Sequence, residues 1–174
     1  QSIPKETTPD IFSLFKHLAS LNKVEGLGLF LELSSHGLHQ ERLNMLDYEK
    51  VCIANIGSDH LDYHQTQEDY ERSKLSILDL SQRSIPLVNY DVLEVMKKHK
   101  IKGYEMQTFS DMQSKSDSLI RILSGKIDGY DVEISELEKS KSIKFNTNLF
   151  PKFNIINLCT AIMMLKNHLI KLDI

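Results

Sequence analysis

Apolar residues recur at helical spacing over residues 9 to 22, "PDIFSLFKHLASLN", where Ile11, Phe12, Leu14, Phe15, Leu18 and Leu21 share a side. Thr8 is placed to cap that helix, and Pro9 suits its first position. Three short apolar runs with polar ends follow, "GLGLFLEL" (26 to 33), "KVCIANI" (50 to 56) and "SIPLVNY" (84 to 90), and each reads as a buried strand. Helical patterns separate and follow them. "TQEDYERSKLSILDL" (66 to 80) opens on Thr66 with Asp69 three residues on, in the manner of a capping box, and "DVLEVMKKHK" (91 to 100) comes after the third run. Alternating strands and helices predict an α/β fold, with a mostly parallel sheet flanked by helices.

From about residue 103 the texture changes. "GYEMQTFS", "SLIRILSG", "YDVEIS" and "SIKFNTNLF" read as short strands with "KIDG" as a turn, so a small antiparallel region is expected over 103 to 147. "FNIINLCTAIMMLKNHLI" (153 to 170) returns to helix, with Met163 and Met164 as packing residues.

Composition narrows the function without choosing it. The 174 residues, 41% of them hydrophobic, are enough for one sizeable core. A net charge of -3 gives no argument for nucleic acid or for a basic membrane-binding surface, which leaves a small molecule or a protein as partner. Cys52 and Cys159 stand far apart among apolar neighbours, and fit reduced thiols better than a disulfide framework or a zinc site. No stretch reaches the length of a membrane span, and "QSIPKETTPD" lacks the apolar core of a signal peptide, so the chain reads as soluble. Opening on Gln and stopping directly after a helical pattern, it also reads as part of a longer protein.

Ligands of open parallel sheets bind beyond the carboxyl ends of the strands, where loops and helix starts gather. The polar runs of this chain fall there. Glu32, Ser34, Ser35 and His36 end the first expected strand, and Gly57, Ser58, Asp59, His60, Asp62 and His64 follow the second. "SDHLDYH" has the donor types for a divalent cation, and equally the Asp and His side chains that brace a loop by bonding its backbone. The same edge contains Ser, His and Asp, yet Ser35 sits in "LSSHG" rather than in the Gly-x-Ser-x-Gly elbow of a hydrolase. No Gly-x-x-x-x-Gly-Lys-Ser/Thr phosphate loop is present; "SGKID" (124 to 128) has only its Gly-Lys pair.

Taken together, "TTPD" (7 to 10), "ELSSHGLHQERL" (32 to 43), "ANIGSDHLDYHQTQEDYERSK" (54 to 74) and "FNIINLCTAI" (153 to 162) resemble the Mur ligases of peptidoglycan synthesis. The resemblance runs over essentially the whole chain and is densest between Glu32 and Lys74, nearest to the tripeptide-forming branch. It implies an incomplete central ATPase domain over 1 to 174, working in the cytoplasm with ATP and Mg2+. The substrates it implies are UDP-N-acetylmuramoyl-L-alanyl-D-glutamate and a diamino acid, joined through an acyl phosphate.

The resemblance also implies roles for residues. Glu32, His60 and Lys74 would serve the metal, Lys74 as a carbamate that turns a repelling ammonium into an attracting anion. His60 and Lys74 would be catalytic. Thr7, Thr8, Ser34, Gln40 and Arg42 would hold the nucleotide-sugar dipeptide, and Asn157 would face the adenine. Two positions depart from the family pattern: Pro151 stands where a glycine is usual, and "NYDV" keeps Asn89 and Asp91 of an "NxDD" motif without its second acid. The phosphate loop is expected before "TTPD" and an amino-acid-binding domain after Ile174, so the 174 residues alone are expected not to turn over. The alternatives are a non-catalytic remnant or substrate-binding module, and a metal-dependent hydrolase using His60 and His64.

Overall fold

The computed structural model describes residues 8–20, 29–58, 62–81, 83–126, 129–138 and 140–169. Its elements run α1 (Ile11–Ser20), α2 (Ser35–His39), β1 (Cys52–Ile53), α3 (Gln67–Leu75), β2 (Leu87–Asn89), α4 (Val92–Lys98), β3 (Gln107–Ser110), β4 (Ser118–Lys126), β5 (Gly129–Glu136), β6 (Lys141–Thr147) and α5 (Lys152–Leu169). The six strands form one sheet in sequential order. β1, β2, β3 and β4 are parallel neighbours, while β4, β5 and β6 are antiparallel.

In a sequentially ordered parallel sheet, crossovers of one hand put their helices on one face. α3, the 3-10 turn Ser76–Leu80 that continues it, and α4 obey this: Leu75, Leu78, Val92 and Met96 pack with Ile53 and Val88 into one cluster. Successive strand residues point to opposite faces, so Leu87, next to Val88, enters the other cluster with Phe109, Ile120, Val132 and Ile134. α5 covers that second face through Ile155 and Cys159, with Met163 and Met164 packed beside them. The expected packing role of the two methionines is the observed one. Cys52 and Cys159 are free thiols, each pushed up to about 12 by burial, and both are therefore uncharged at neutral pH.

β3 and β4 are parallel although only a short loop joins them. They overlap by two residue pairs, Phe109 with Ser118 and Ser110 with Leu119, so β4 carries on past the end of β3 and needs no long return. The loop is pinned at both ends. Asp117 Oδ2 accepts from Thr108 N (2.6 Å) and Thr108 Oγ1 (2.7 Å), and Ser110 Oγ accepts from Met112 N and Gln113 N. The antiparallel part thus begins at Ser118, and "QTFS", expected within it, belongs to the parallel sheet. The "KIDG" turn lies between the paired Lys126 and Gly129, with residues 127 and 128 outside the described residues.

Two local expectations change. α1 is capped by Asp10, whose Oδ1 accepts from Ser13 N at 2.9 Å, and not by Thr8, which is occupied elsewhere. The strand expected over 26 to 33 falls partly outside the described residues. Its described part, 29 to 33, is not in a strand, and Leu29 and Phe30 are 48% and 52% exposed. α3 does start where its cap was read, with Thr66 Oγ1 accepting from Asp69 N at 3.1 Å.

Candidate functional site

The site assembles on Thr8. This residue is 1% exposed, and its Oγ1 accepts from Ser34 N at 2.7 Å while facing Ser34 Oγ at 3.0 Å and Glu32 O at 3.2 Å. A single hydroxyl thereby ties the start of α1 to the segment entering α2. Ser34 is the N-cap of α2, in extended backbone, and its Oγ accepts from Gly37 N at 3.1 Å. Gly37 is required by space: a Cβ there would lie 2.7 Å from Thr8 Cγ2 and 2.9 Å from Thr8 Cβ and Oγ1.

At the other end of α2 the chain turns back. Glu41 has φ of 51°, in the left-handed region, and the reversal brings Arg42 N onto Gly37 O at 3.0 Å. The Arg42 side chain then returns towards Thr8, donating from Nη1 to Thr8 O (3.2 Å) and from Nε to Gln40 Oε1 (2.7 Å). Gln40 Nε2 donates to Tyr63 Oη at 3.0 Å, which also shares a hydrogen bond with His39 Nδ1 at 2.9 Å. Four of the five expected substrate residues, Thr8, Ser34, Gln40 and Arg42, are thus drawn into one connected arrangement. Thr7 lies outside the described residues.

Rings close this arrangement from the side. The His36 ring lies 3.9 Å from that of Tyr63, and Tyr63 meets His64 at 4.9 Å in an edge contact. His64 is 3% exposed and also neighbours His39 and Tyr70, which makes it a packed member of the cluster.

The expected metal and phosphate residues are placed more loosely. Glu32 is exposed on the segment leading into α2, and Lys74 is half-buried in the last turn of α3. His60, with Asp59, lies outside the described residues, and among the described residues no group of three or more His, Cys, Asp or Glu gathers as a metal site. Asn157 is exposed on α5, the helix of the opposite sheet face from α3. Asn89, kept from the "NxDD" pattern, braces the carboxyl edge: its Nδ2 donates to Ala54 O beyond β1 at 2.9 Å, and its Oδ1 accepts from Asp91 N.

Sequence reasoning passed over two residues here. Tyr63 stood in "DHLDYH", a motif read for its acids and histidines. Glu71 looked like one more helix carboxylate, yet it is 7% exposed and fixes α3 against α4, with Oε2 2.7 Å from Lys98 Nζ and 2.6 Å from His99 Nε2. Gln67, one turn earlier, donates to both Glu71 Oε1 and Gly57 O, and so ties α3 to the loop after β1. The available signal was the spacing of Gln67 and Glu71, four apart on one helix face.

Burial alone would raise the Glu71 carboxyl, but hydrogen bonds from Lys98, His99 and Gln67 outweigh it and hold the group below its ordinary value of 4.5. A depressed carboxyl contributes stability above its unfolded-state pKa, and that contribution disappears as the pH falls through the folded one. Glu71→Gln is therefore expected to cost about 1–2 kcal/mol at neutral pH and to flatten the loss of stability on acidification below 4.5. Urea unfolding of both proteins across that range checks it, and parallel pH curves would refute the assignment.

A family model described as the Mur ligase middle domain matches residues 3–165. A UDP-N-acetylmuramoyl-L-alanyl-D-glutamate--2,6-diaminopimelate ligase of Aquifex aeolicus (strain VF5) is 31% identical over 156 residues, covering 90% of this chain and 31% of the relative. The same-named ligase of Rickettsia conorii (strain ATCC VR-613 / Malish 7) is 31% identical over 171 residues, covering 92% and 34%. The chain therefore spans about a third of the length of these curated relatives. A solved structure of a ligase with that same name superposes with a TM-score of 0.75 at 26% identity, over 96% of this chain and 35% of the other. A MurF ligase from Thermotoga maritima, in complex with ADP, shares the fold with a TM-score of 0.57 at 15% identity, over 77% of this chain and 30% of its own.

Proposed function

This chain belongs to the Mur ligase middle-domain family, and from that premise we propose that it is the central part of an ATP-dependent amide ligase adding a diamino acid to UDP-N-acetylmuramoyl-L-alanyl-D-glutamate. The observation that carries the reading is the convergence of Thr8 with the stretch that holds Ser34, Gln40 and Arg42 into one hydrogen-bonded edge. Arg42 presents a planar guanidinium, suited to the carboxylates and phosphates of such a substrate.

In the proposed reaction the D-glutamyl carboxylate takes the γ-phosphoryl group of ATP with release of ADP, and the incoming amine attacks the acyl carbon and expels inorganic phosphate. Mg2+, when bound, would offset the charge of the phosphates. Glu32, His60 and Lys74 are proposed to hold the metal. The exposed Glu32 carboxylate is an oxygen donor of the kind Mg2+ takes, and Lys74 fits that ion only as a carbamate, since its ammonium would repel it. Asn157 is proposed to meet the adenine. Gln67, by bonding Gly57 O, holds the loop that leads to His60 against the helix that carries Lys74. The phosphate loop and the amine-binding domain are proposed to come from outside these 174 residues, with the complete ligase working in the cytoplasm.

The test is release of ADP and phosphate by the complete gene product. Turnover is expected only when the muramyl dipeptide nucleotide and a diamino acid, diaminopimelate or lysine, are both present, with none from the 174 residues alone. ATP hydrolysis indifferent to both substrates would overturn the ligase reading.

A further inference from the structure

A glutamine amide has two ends of almost equal size, and only its surroundings decide which one faces a neighbour. For Gln40 the decision falls to Arg42, whose guanidinium can only donate. Arg42 Nε donates to the amide oxygen at 2.7 Å, which leaves the Nε2 end to donate to Tyr63 Oη at 3.0 Å. Arg42 Nη1 is held in turn by Thr8 O at 3.2 Å. Two points of attachment fix the plane of a guanidinium, and bidentate recognition of a carboxylate or phosphate depends on that plane. Tyr63 is itself immobilised by the His36 ring at 3.9 Å, the His64 edge at 4.9 Å and the His39 hydrogen bond at 2.9 Å.

We propose that Tyr63 is a positioning residue for substrate binding: its hydroxyl anchors the Nε2 end of the Gln40 amide, whose oxygen end holds Arg42 toward the anionic group of the substrate. The inference rests on the proposed substrate edge and adds a specificity determinant to it. Tyr63 lies only three residues before Thr66, the cap of α3. The turn that opens the Lys74 helix and the arm that grips the substrate are therefore held in register by one phenol.

Tyr63→Phe keeps the ring and removes the hydroxyl. In the complete gene product it is expected to raise KM for the muramyl dipeptide nucleotide about three- to tenfold, the value of one hydrogen bond, with kcat within about twofold. In a Gln40→Ala background the same substitution should leave KM unchanged, because the path from Tyr63 to Arg42 is already cut. If Gln40→Ala and Arg42→Ala do not raise KM, the substrate edge is wrong and the inference falls with it. If they do, but Tyr63→Phe has no effect alone or adds in full to Gln40→Ala, the edge stands and the role of Tyr63 is refuted. A readout on the unaltered protein needs no variant to fold. The Arg42 Nε proton should exchange with solvent more slowly than that of the exposed Arg121; equal rates would refute the clamp.

Discussion

If Lys74 has the role proposed for it, Lys74→Ala and Lys74→Arg are both expected to lower kcat of the proposed complete ligase by about a hundred- to a thousandfold while leaving the fold intact, the scale of losing one preorganised group that stabilises transition-state charge. The equal effect of the two substitutions is the informative part. Lys74 sits half-buried in the last turn of α3, beyond the buried Tyr70, Glu71 and Ser73 that anchor the helix, so its removal need not disturb the packing. An unmodified ammonium beside a metal and a triphosphate would repel the first and attract the second, and arginine would mimic it. A carbamate, formed when the Lys74 amine adds to CO2 and releases a proton, would attract the metal instead, and arginine cannot form one. Steady-state kinetics over a range of bicarbonate concentrations, with intact mass measured under native conditions, check the proposal. Retention of kcat within about tenfold by Lys74→Arg would show that only a positive charge is needed there, and would remove the carbamate from the scheme.

Gly37→Ala is the substitution expected to do most damage to the proposed substrate edge. The added methyl would lie 2.7 Å from Thr8 Cγ2 and 2.9 Å from two further Thr8 atoms. Thr8 cannot swing away cheaply. It is β-branched and 1% exposed, and its hydroxyl holds both the backbone and the side chain of Ser34. Overpacking of this kind costs about 1–3 kcal/mol. Here the cost falls on the contact that unites the Thr8, Ser34 and Arg42 segments, so a loss of about 2 kcal/mol in urea unfolding should come with a raised KM. Thr8→Ser, which removes the methyl at the shortest distance, should recover part of the stability when combined with Gly37→Ala. Unchanged stability and KM in Gly37→Ala would mean that Thr8 and α2 do not meet as described.

The value of the sequence as a guide differs between the parts of the chain. Elements with local causes were legible. α3 begins where Thr66 and Asp69 predicted, because a cap and the amide it binds lie within four residues of each other. The Met163 and Met164 pair packs as helical spacing implied. Expectations that depended on a distant partner were less secure. "GLGLFLEL" is apolar enough to be a buried strand, but a strand also needs a neighbour to pair with, and residues 29 to 33 have no ladder among the described residues. "QTFS" read as antiparallel because three strands with antiparallel patterns follow it, whereas its pairing with Leu87, Val88 and Asn89 is parallel. Thr8 was read as the cap of α1. Asp10 lies at the start of the same helix and takes that task, which leaves the Thr8 hydroxyl to Ser34.

The sequence alone determined the fold class and the family resemblance, since periodicity, caps and motif spacing are all written along the chain. Tertiary structure decided which residues act together. It joined Thr8 to Ser34, 26 positions away, and Arg42 to Thr8, 34 positions away. It also gave Tyr63 and Glu71 partners that no local pattern announces, Gln40 for the first and His99 for the second. The physical reason is that hydrogen bonds and ring contacts are set by distance in space, and the ordering of strands and helices that brings distant side chains within reach is a property of the packed sheet as a whole.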